Sequence, residues 1–259
     1  MCLILFALDQ NRDYPLVVAA NRDEFYQRPT RAMHWWPDGE LLAGRDERSG
    51  GTWLAVRQDG LVTAVTNVRE GGQAEARRTR GVLPLQACQL DPPDLSKELV
   101  QTGGDYGGFN LVRLDTSDGW YFSNRDSHAG RHLHRGLYGL SNHLLQSPWP
   151  KLIKMREQLG ELLHAHSAPT EEALHQTLMA RLQDSTPAPD QLLPDTGVGI
   201  ETERFLSSPF IRGEAYGTRA TTIVTRRADG LVTVTEQTWL AGGIAGECQS
   251  FQWQAEPGQ

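Results

Sequence analysis

The amino-acid sequence predicts an α+β protein, on three observations. Short apolar runs of strand length recur through residues 1–140. The apolar period becomes helical between residues 148 and 182. Strand-type runs split by an Asp-Gly turn then return at residues 220–239. Strands, then helices, then strands argue one domain over residues 1–259 in which distant strands share a sheet.

The elements follow in order. Cys2-Leu-Ile-Leu-Phe-Ala-Leu8 reads as a buried strand, and Leu16–Ala20 as a second beyond a polar turn at residues 9–13. Thr52–Val56 and Leu61–Thr66 flank a turn at Asp59-Gly60, where glycine accepts the positive φ that a tight hairpin needs. Gly81–Leu90 reads as a short helix closed by the prolines at 92 and 93, and Leu95–Gln101 as a further helical turn or two. Phe109–Asp115 and Gly119–Asn124 form a second hairpin around Thr116-Ser-Asp-Gly119, and Leu137–Leu140 adds a short strand.

Leu152, Met155, Leu159 and Leu162 lie on one helical face, with Pro148 and Pro150 near its start. Thr170 is placed to cap the next helix, whose first turn carries Glu171-Glu172 and whose stripe is Leu174, Leu178 and Leu182. Residues 185–217 form a long Pro- and Gly-rich loop of the functional or mobile kind. Ala220–Thr225 and Leu231–Trp239 make the last hairpin, and the Gly- and Gln-rich tail from Gly242 is expected to fray.

Composition narrows the function. Net charge is −7, with no long basic tract, which argues against nucleic acid as a partner. The short cluster Arg77-Arg78-Thr79-Arg80 reads as a solvated loop rather than a phosphate site. No run of about 18 apolar residues occurs, so membrane insertion by a helix is not expected. The stretch at residues 1–8 lacks a basic flank, which argues against a secretory signal. The three cysteines, Cys2, Cys88 and Cys248, are odd in number and form no C-x-x-C pair, which fits a reducing cytoplasm.

Cys2 is the residue with the most chemical potential. Once Met1 is removed, one residue carries both a thiol and a free α-amine, and such a nucleophile brings its own base. The reference pKa values of the two groups, about 7.7–8.0 and about 8.5, are closely matched near neutral pH. Asn21-Arg22-Asp23-Glu24 sits at the end of the second strand. There Arg22 can hold a thiolate or a substrate carboxylate in its fork, and Asp23 can orient an ammonium, or the two can simply close a surface turn. Asn67, at the end of Leu61–Thr66, offers a neutral oxyanion donor or a turn residue. Asn142 is either a helix cap or a catalytic amide.

His132/His134 and His164/His166 are His-x-His pairs without a third ligand at metal-site spacing, so no metal is assigned. One histidine suffices as a haem axial ligand, which keeps haem open as a ligand while no cofactor is required. There is no phosphate-cradling glycine loop and no G-x-S-x-G elbow.

Met1-Cys2, Asn21-Arg22-Asp23-Glu24, Gly50-Gly51-Thr52-Trp53, Thr66-Asn67-Val68-Arg69 and Gly217-Thr218-Arg219 together resemble the NRDE family, that of transport and Golgi organisation protein 2, from Met1 to about Trp239. The resemblance implies a four-layer αββα fold of the N-terminal nucleophile (Ntn) hydrolase type, related in mechanism to bile-salt hydrolases and penicillin V acylases. It implies a site in which Cys2 is the nucleophile and Arg22, Asp23, Asn67 and Asn142 support it, with a late arginine at Arg212 or Arg219, the latter favoured. The relatives space their Arg and Asp about two residues apart, whereas Arg22 and Asp23 are adjacent, which on a strand puts them on opposite faces.

Two functions follow from the resemblance. One is a cysteine amidohydrolase or thioesterase acting on a small amide or thioester. The other is a non-catalytic carrier of haem or an acyl lipid, since family members are linked to haem mobilisation and to lipid or acyl-CoA homeostasis. For the carrier, Phe6, Trp35, Trp36, Trp53 and the 185–217 loop are the available apolar walls.

Overall fold

The apolar run that begins at Cys2 becomes β1 (Cys2–Leu8), the second of six strands in a wholly antiparallel sheet. The computed structural model describes residues 2–37, 39–72, 76–116, 118–128, 130–164 and 170–255, Cys2 through its backbone. The chain continues through β2 (Leu16–Phe25), β3 (Thr30–Trp35), β4 (Leu41–Asp46), β5 (Leu54–Arg57) and β6 (Val62–Asn67). Helices α1 (Leu83–Gln89) and α2 (Pro92–Thr102) follow, then β7 (Phe109–Leu114), β8 (Gly119–Ser123), β9 (Arg131–Leu133) and β10 (Gly136–Leu140). The last part holds α3 (Pro150–Leu163), α4 (Glu171–Arg181), α5 (Ile200–Phe205), β11 (Tyr216–Arg226), β12 (Leu231–Leu240) and β13 (Ile244–Gln254).

One sheet has the order β10-β1-β2-β11-β12-β13, and the other runs β3 to β9 in sequence order. Side-chain alternation shows how they stack. Ile4, Phe6 and Leu8 of β1 and Leu16, Val18 and Ala20 of β2 pack against Leu42, Leu54, Val62 and Val112 of the other sheet. The intervening residues Leu3, Leu5, Val17 and Ala19 pack against Leu152, Met155 and Leu159 of α3 and Leu174 and Leu178 of α4. On the far side of the second sheet, Val65, Phe109 and Leu111 meet Leu83 and Ala87 of α1 and Leu95 and Leu99 of α2. The layers are therefore α, β, β, α, and the fold is α+β as expected.

This stacking explains the sequence pattern. β1 and β2 are covered on both faces, so they read as continuous apolar runs rather than alternating ones. Each fully buried Leu, Val or Phe in them contributes about 1.5–3 kcal/mol. A charge at Val18, wholly buried between the sheets, would break the shared core.

The structure corrects five expectations and adds three strands. β2 does not end at Ala20; it runs through Asn21-Arg22-Asp23-Glu24 to Phe25, because β1 pairs with it as far as Arg22 and β11 as far as Phe25. Pro92 and Pro93 open α2 rather than close α1, with Asp91 capping through a 2.9 Å bond from the Asp94 N–H. β3, β4 and β9 form where no apolar period marks them. β3 and β9 are edge strands, with one face open to water.

The tail from Gly242 is β13, paired along β12, and Phe251 and Trp253 pin it to the inter-sheet core at a spacing of two. Residues 185–217 hold α5 and a 3-10 turn at 190–192, and their backbone carbonyls accept from buried Asn21 and Lys151. Asn142 is not a helix cap. α3 begins at Pro150 with Trp149 as its cap residue.

Candidate functional site

The site grows from the pairing of β1 with β2, in which Cys2 stands opposite Arg22. Strand alternation puts Arg22 on the inter-sheet face with Val18 and Ala20. Its guanidinium lies over the Trp53 ring at 4.2 Å, contacts the Thr30 hydroxyl at 3.4 Å and stands 3.6 Å from an Asp46 carboxylate oxygen. The Trp53 ring takes the space above Gly44, where a Cβ would fall 2.2 Å from it. Cation–π stacking and the carboxylate together fix the guanidinium plane.

Arg22, Asp23, Trp53 and Asn67 line a cleft of about 190 Å³. Arg28 and Asp46 complete one wall, and the segment Arg78–Gly81 forms the other. Asp46 accepts from Arg28 and from the backbone N–H groups of Arg48 and Ser49 at 3.1 and 3.0 Å. Burial pushes its carboxyl up, but the Arg28 and Ser49 hydrogen bonds hold it below the usual carboxylate range, so it stays charged. The opposite wall is set by glycines. A Cβ on Gly51 would fall 2.4 Å from the Gly81 backbone, and the Thr52 N–H donates to the Gly81 carbonyl at 2.9 Å. This close approach holds the segment that carries Arg78 and Arg80 against the sheet.

Asp23 has a different environment. Its side chain turns toward the helix layer, where the Thr218 hydroxyl donates to it at 2.7 Å. Burial raises its carboxyl above the usual range, against the pull of the positive N-terminus, Lys151, the Thr218 bond and Arg69. Asn21, on the same face, donates to the Leu182 and Pro209 carbonyls, each at 2.9 Å, and accepts from Thr221.

Asn67 lies at the end of β6, and among the described residues its side-chain amide has no partner, which leaves it available to the cleft. Asn142 is fully buried behind it: its amide donates to the Asn67 carbonyl at 2.9 Å, and its own carbonyl accepts from the Arg69 N–H at 2.7 Å. Asn142 therefore holds the strand end that presents Asn67 and does not line the cleft. Arg69 is buried against Trp149 at 4.7 Å and paired with Glu203 of α5, which also accepts from the Thr196 N–H at 2.9 Å.

Neither late arginine lines the cleft. Arg219 donates to the Phe25 and Arg28 carbonyls at 3.0 and 2.8 Å and so holds the turn that carries Arg28. Arg212 is exposed and stacks over Phe210. The expected solvated cluster divides. Arg77 is 86% exposed and reaches Asp105, while Arg78 and Arg80 form cleft wall.

Of the expected apolar walls, only Trp53 reaches the cleft. Phe6 stacks on Tyr138 in the core, Trp35 packs on Trp253, Trp36 lies against Arg45, and none of residues 185–217 lines it. No described histidine lines it either. His132 contacts Asp118 at 3.1 Å on an edge strand, and His166 lies outside the described residues. Among the described residues, no cluster of His, Cys, Asp or Glu could hold a metal, and no helix is long and apolar enough to cross a membrane.

Sequence reasoning did not anticipate Arg28, Asp46, Glu203, Lys151 or Glu236. Glu236 is buried between the sheets, accepts from the Met33 N–H at 2.7 Å and from Thr222 at 3.3 Å, and is pushed up to about 7 by burial. A single carboxylate on a β-strand leaves no local signal of such a role. Gly50-Gly51 and Trp53 did carry one, as parts of a recurring motif.

Three comparisons bear on this chain. It is 36% identical over 262 residues to the Transport and Golgi organization protein 2 homolog of Bos taurus, covering 93% of this chain and 94% of that protein. It is 26% identical to Transport and Golgi organization protein 2 of Drosophila melanogaster, over 92% of each chain. Among solved structures it is similar to a mutant conjugated bile acid hydrolase from Clostridium perfringens, at 10% identity and a TM-score of 0.49, over 100% of this chain and 94% of that one. The family match runs over residues 1–241 and spans every residue of the cleft, so the chain belongs to the Transport and Golgi organisation 2 family.

Proposed function

We propose that the protein is a cysteine amidohydrolase or thioesterase whose nucleophile is Cys2 after loss of Met1. The observation that carries this reading is the register of Cys2 against Arg22 at a cleft lined by Arg22, Asp23 and Asn67. The α-amine of Cys2 takes the thiol proton, and the thiolate attacks the amide or thioester carbonyl. Asn67 donates to the oxyanion, a neutral donor aimed at developing charge. As the tetrahedral intermediate collapses, the leaving amine or thiol departs with the proton held by the α-ammonium. Water, deprotonated by the same amine, then releases the acid and restores the thiol. Arg22 keeps the thiolate favoured by its positive charge. Asn142 and Arg219 are positioning residues in this scheme, the first for Asn67 and the second for the Arg28 turn. Free Cys88 and Cys248 suit a reducing cytoplasm, where we place the activity.

The test is turnover of a panel of small amides and acyl thioesters by the full chain. Cys2→Ala is expected to abolish turnover with an unchanged melting temperature. Equal turnover by the variant contradicts the mechanism. The carrier reading, with haem or an acyl lipid as cargo, is supported by the Trp53–Arg22 wall alone. A saturable Soret change at micromolar protein, retained in Cys2→Ala, would favour it over hydrolysis.

A further inference from the structure

The cleft carries more positive charge than its chain would suggest. The protein has a net charge of −7, yet the lining holds Arg22, Arg28, Arg78 and Arg80 against the carboxylates of Glu24 and Asp46, since that of Asp23 turns to the helix layer. The acidic groups are concentrated on one wall. Asp46 lies between Arg22 and Arg28, and Glu24 stands 3.9 Å from Arg28. The other wall has no carboxylate among its described lining residues.

Arg78 is anchored there by its backbone. Its N–H donates to the Asp105 carbonyl at 3.1 Å, and Arg78 bridges to Tyr106. Among the described residues its guanidinium meets neutral groups, the Tyr106 hydroxyl at 3.3 Å and the Tyr106 ring at 5.7 Å. Beside it, Arg80 places one nitrogen on the Gly108 carbonyl at 3.1 Å. The Gly51–Gly81 approach fixes this segment against the sheet. A guanidinium held over a ring keeps its outward N–H groups for a bidentate acceptor.

We propose that Arg78, with Arg80 beside it, is an anion subsite that takes a carboxylate or phosphate-type group of the substrate at the outer wall of the cleft. It rests on the reading of this cleft as the substrate site and names the class of substrate. One end of the molecule presents the scissile carbonyl toward Cys2, and the other end carries the anionic oxygens.

The test uses the full-length protein with two probes, inorganic pyrophosphate and glutarate, in calorimetric titrations. At least one is expected to bind saturably, more weakly as NaCl is raised. Pyrophosphate alone points to a phosphate-type group and glutarate alone to a carboxylate. Arg78→Gln is expected to weaken binding about tenfold, as loss of a charge-assisted pair does. Arg77→Gln, outside the cleft, is expected to change nothing. The bound probe should also slow phenylglyoxal modification of Arg78 in the unaltered protein, a readout that needs no variant to fold. Absence of saturable binding by both probes, or full binding with Arg78 unprotected, overturns the subsite. Binding retained in Cys2→Ala shows that the subsite stands whether or not Cys2 is a nucleophile; turnover of uncharged substrates without anion binding shows the reverse.

Discussion

Arg22 and Asp23 are neighbours in sequence and occupy opposite sides of one strand. Arg22 faces the space between the sheets, beside Trp53 and Asp46, and borders the cleft. Asp23, like Asn21, faces the helix layer, and the bonds they accept from Thr218 and Thr221 tie β2 to β11. The same tetrapeptide thus does two jobs. One face presents charge to a ligand, and the other replaces apolar packing with a buried polar network that locks distant segments together. Residues on the helix face should therefore report in stability, and residues on the cleft face in activity.

The largest effect is expected at Glu203. Glu203→Ala leaves Arg69 buried without its carboxylate and should cost about 3–5 kcal/mol in denaturant unfolding. A loss below about 1 kcal/mol would mean that the helix-side network is not structural.

Second is the pH dependence set by Glu236, whose folded pKa of about 7 lies above its ordinary 4.5. The native state holds this proton more tightly than the unfolded state, so its contribution to stability falls as pH rises from about 4.5 through about 7, by on the order of 3 kcal/mol. His175 has the opposite sign. Burial lowers it from 6.5 to about 4, so its contribution is lost as pH falls through that range. The two slopes nearly cancel between about pH 4.5 and 6.5 in the natural protein. Glu236→Gln removes the Glu236 slope, so the stability of the variant relative to the parent should rise with pH there; parallel profiles for variant and parent would refute this assignment.

Third, Asn21→Ala strands two buried carbonyls, at Leu182 and Pro209, and should cost about 1–3 kcal/mol with little change in turnover per folded molecule. Smallest in stability and largest in activity is Arg22→Gln. Arg22 is buried, but glutamine keeps a hydrogen-bonding group and Asp46 keeps Arg28, so unfolding should shift by about 1 kcal/mol while turnover drops at least tenfold. A variant at Asn21 that behaved like the one at Arg22 would collapse the distinction between the faces.

Much of this was legible in the sequence. The apolar runs at residues 3–8 and 16–20, the Asp-Gly turns and the Thr170 cap are local signals, and Gly60 and Gly230 do adopt positive φ at their turns. Arg22, Asp23 and Asn67 were singled out by motif; Arg22 and Asn67 face the cleft, while Asp23 borders it with its carboxyl turned to the helix layer. What escaped depends on partners far along the chain. β2 continues through four polar residues because β11 pairs with all of that stretch and β1 with its first half. Arg78 is exposed, as the sequence suggests, but that it lines a cleft depends on the packing of residues 78–81 against the sheet. Asn142 follows β10 of one sheet and is spent on the backbone of Asn67 at the end of β6 in the other, a contact between distant segments that spacing does not encode.

The central claim is that Cys2 is an N-terminal nucleophile beside Arg22. The most direct measurement is the mass of the untagged protein, followed by iodoacetamide mapping of Cys2, buried Cys88 and exposed Cys248. The account predicts a chain lacking Met1 in which Cys2 alkylates well before Cys248, because a thiolate favoured by a nearby guanidinium reacts faster than an ordinary thiol. A chain that keeps Met1, or a Cys2 no faster than Cys248, contradicts it.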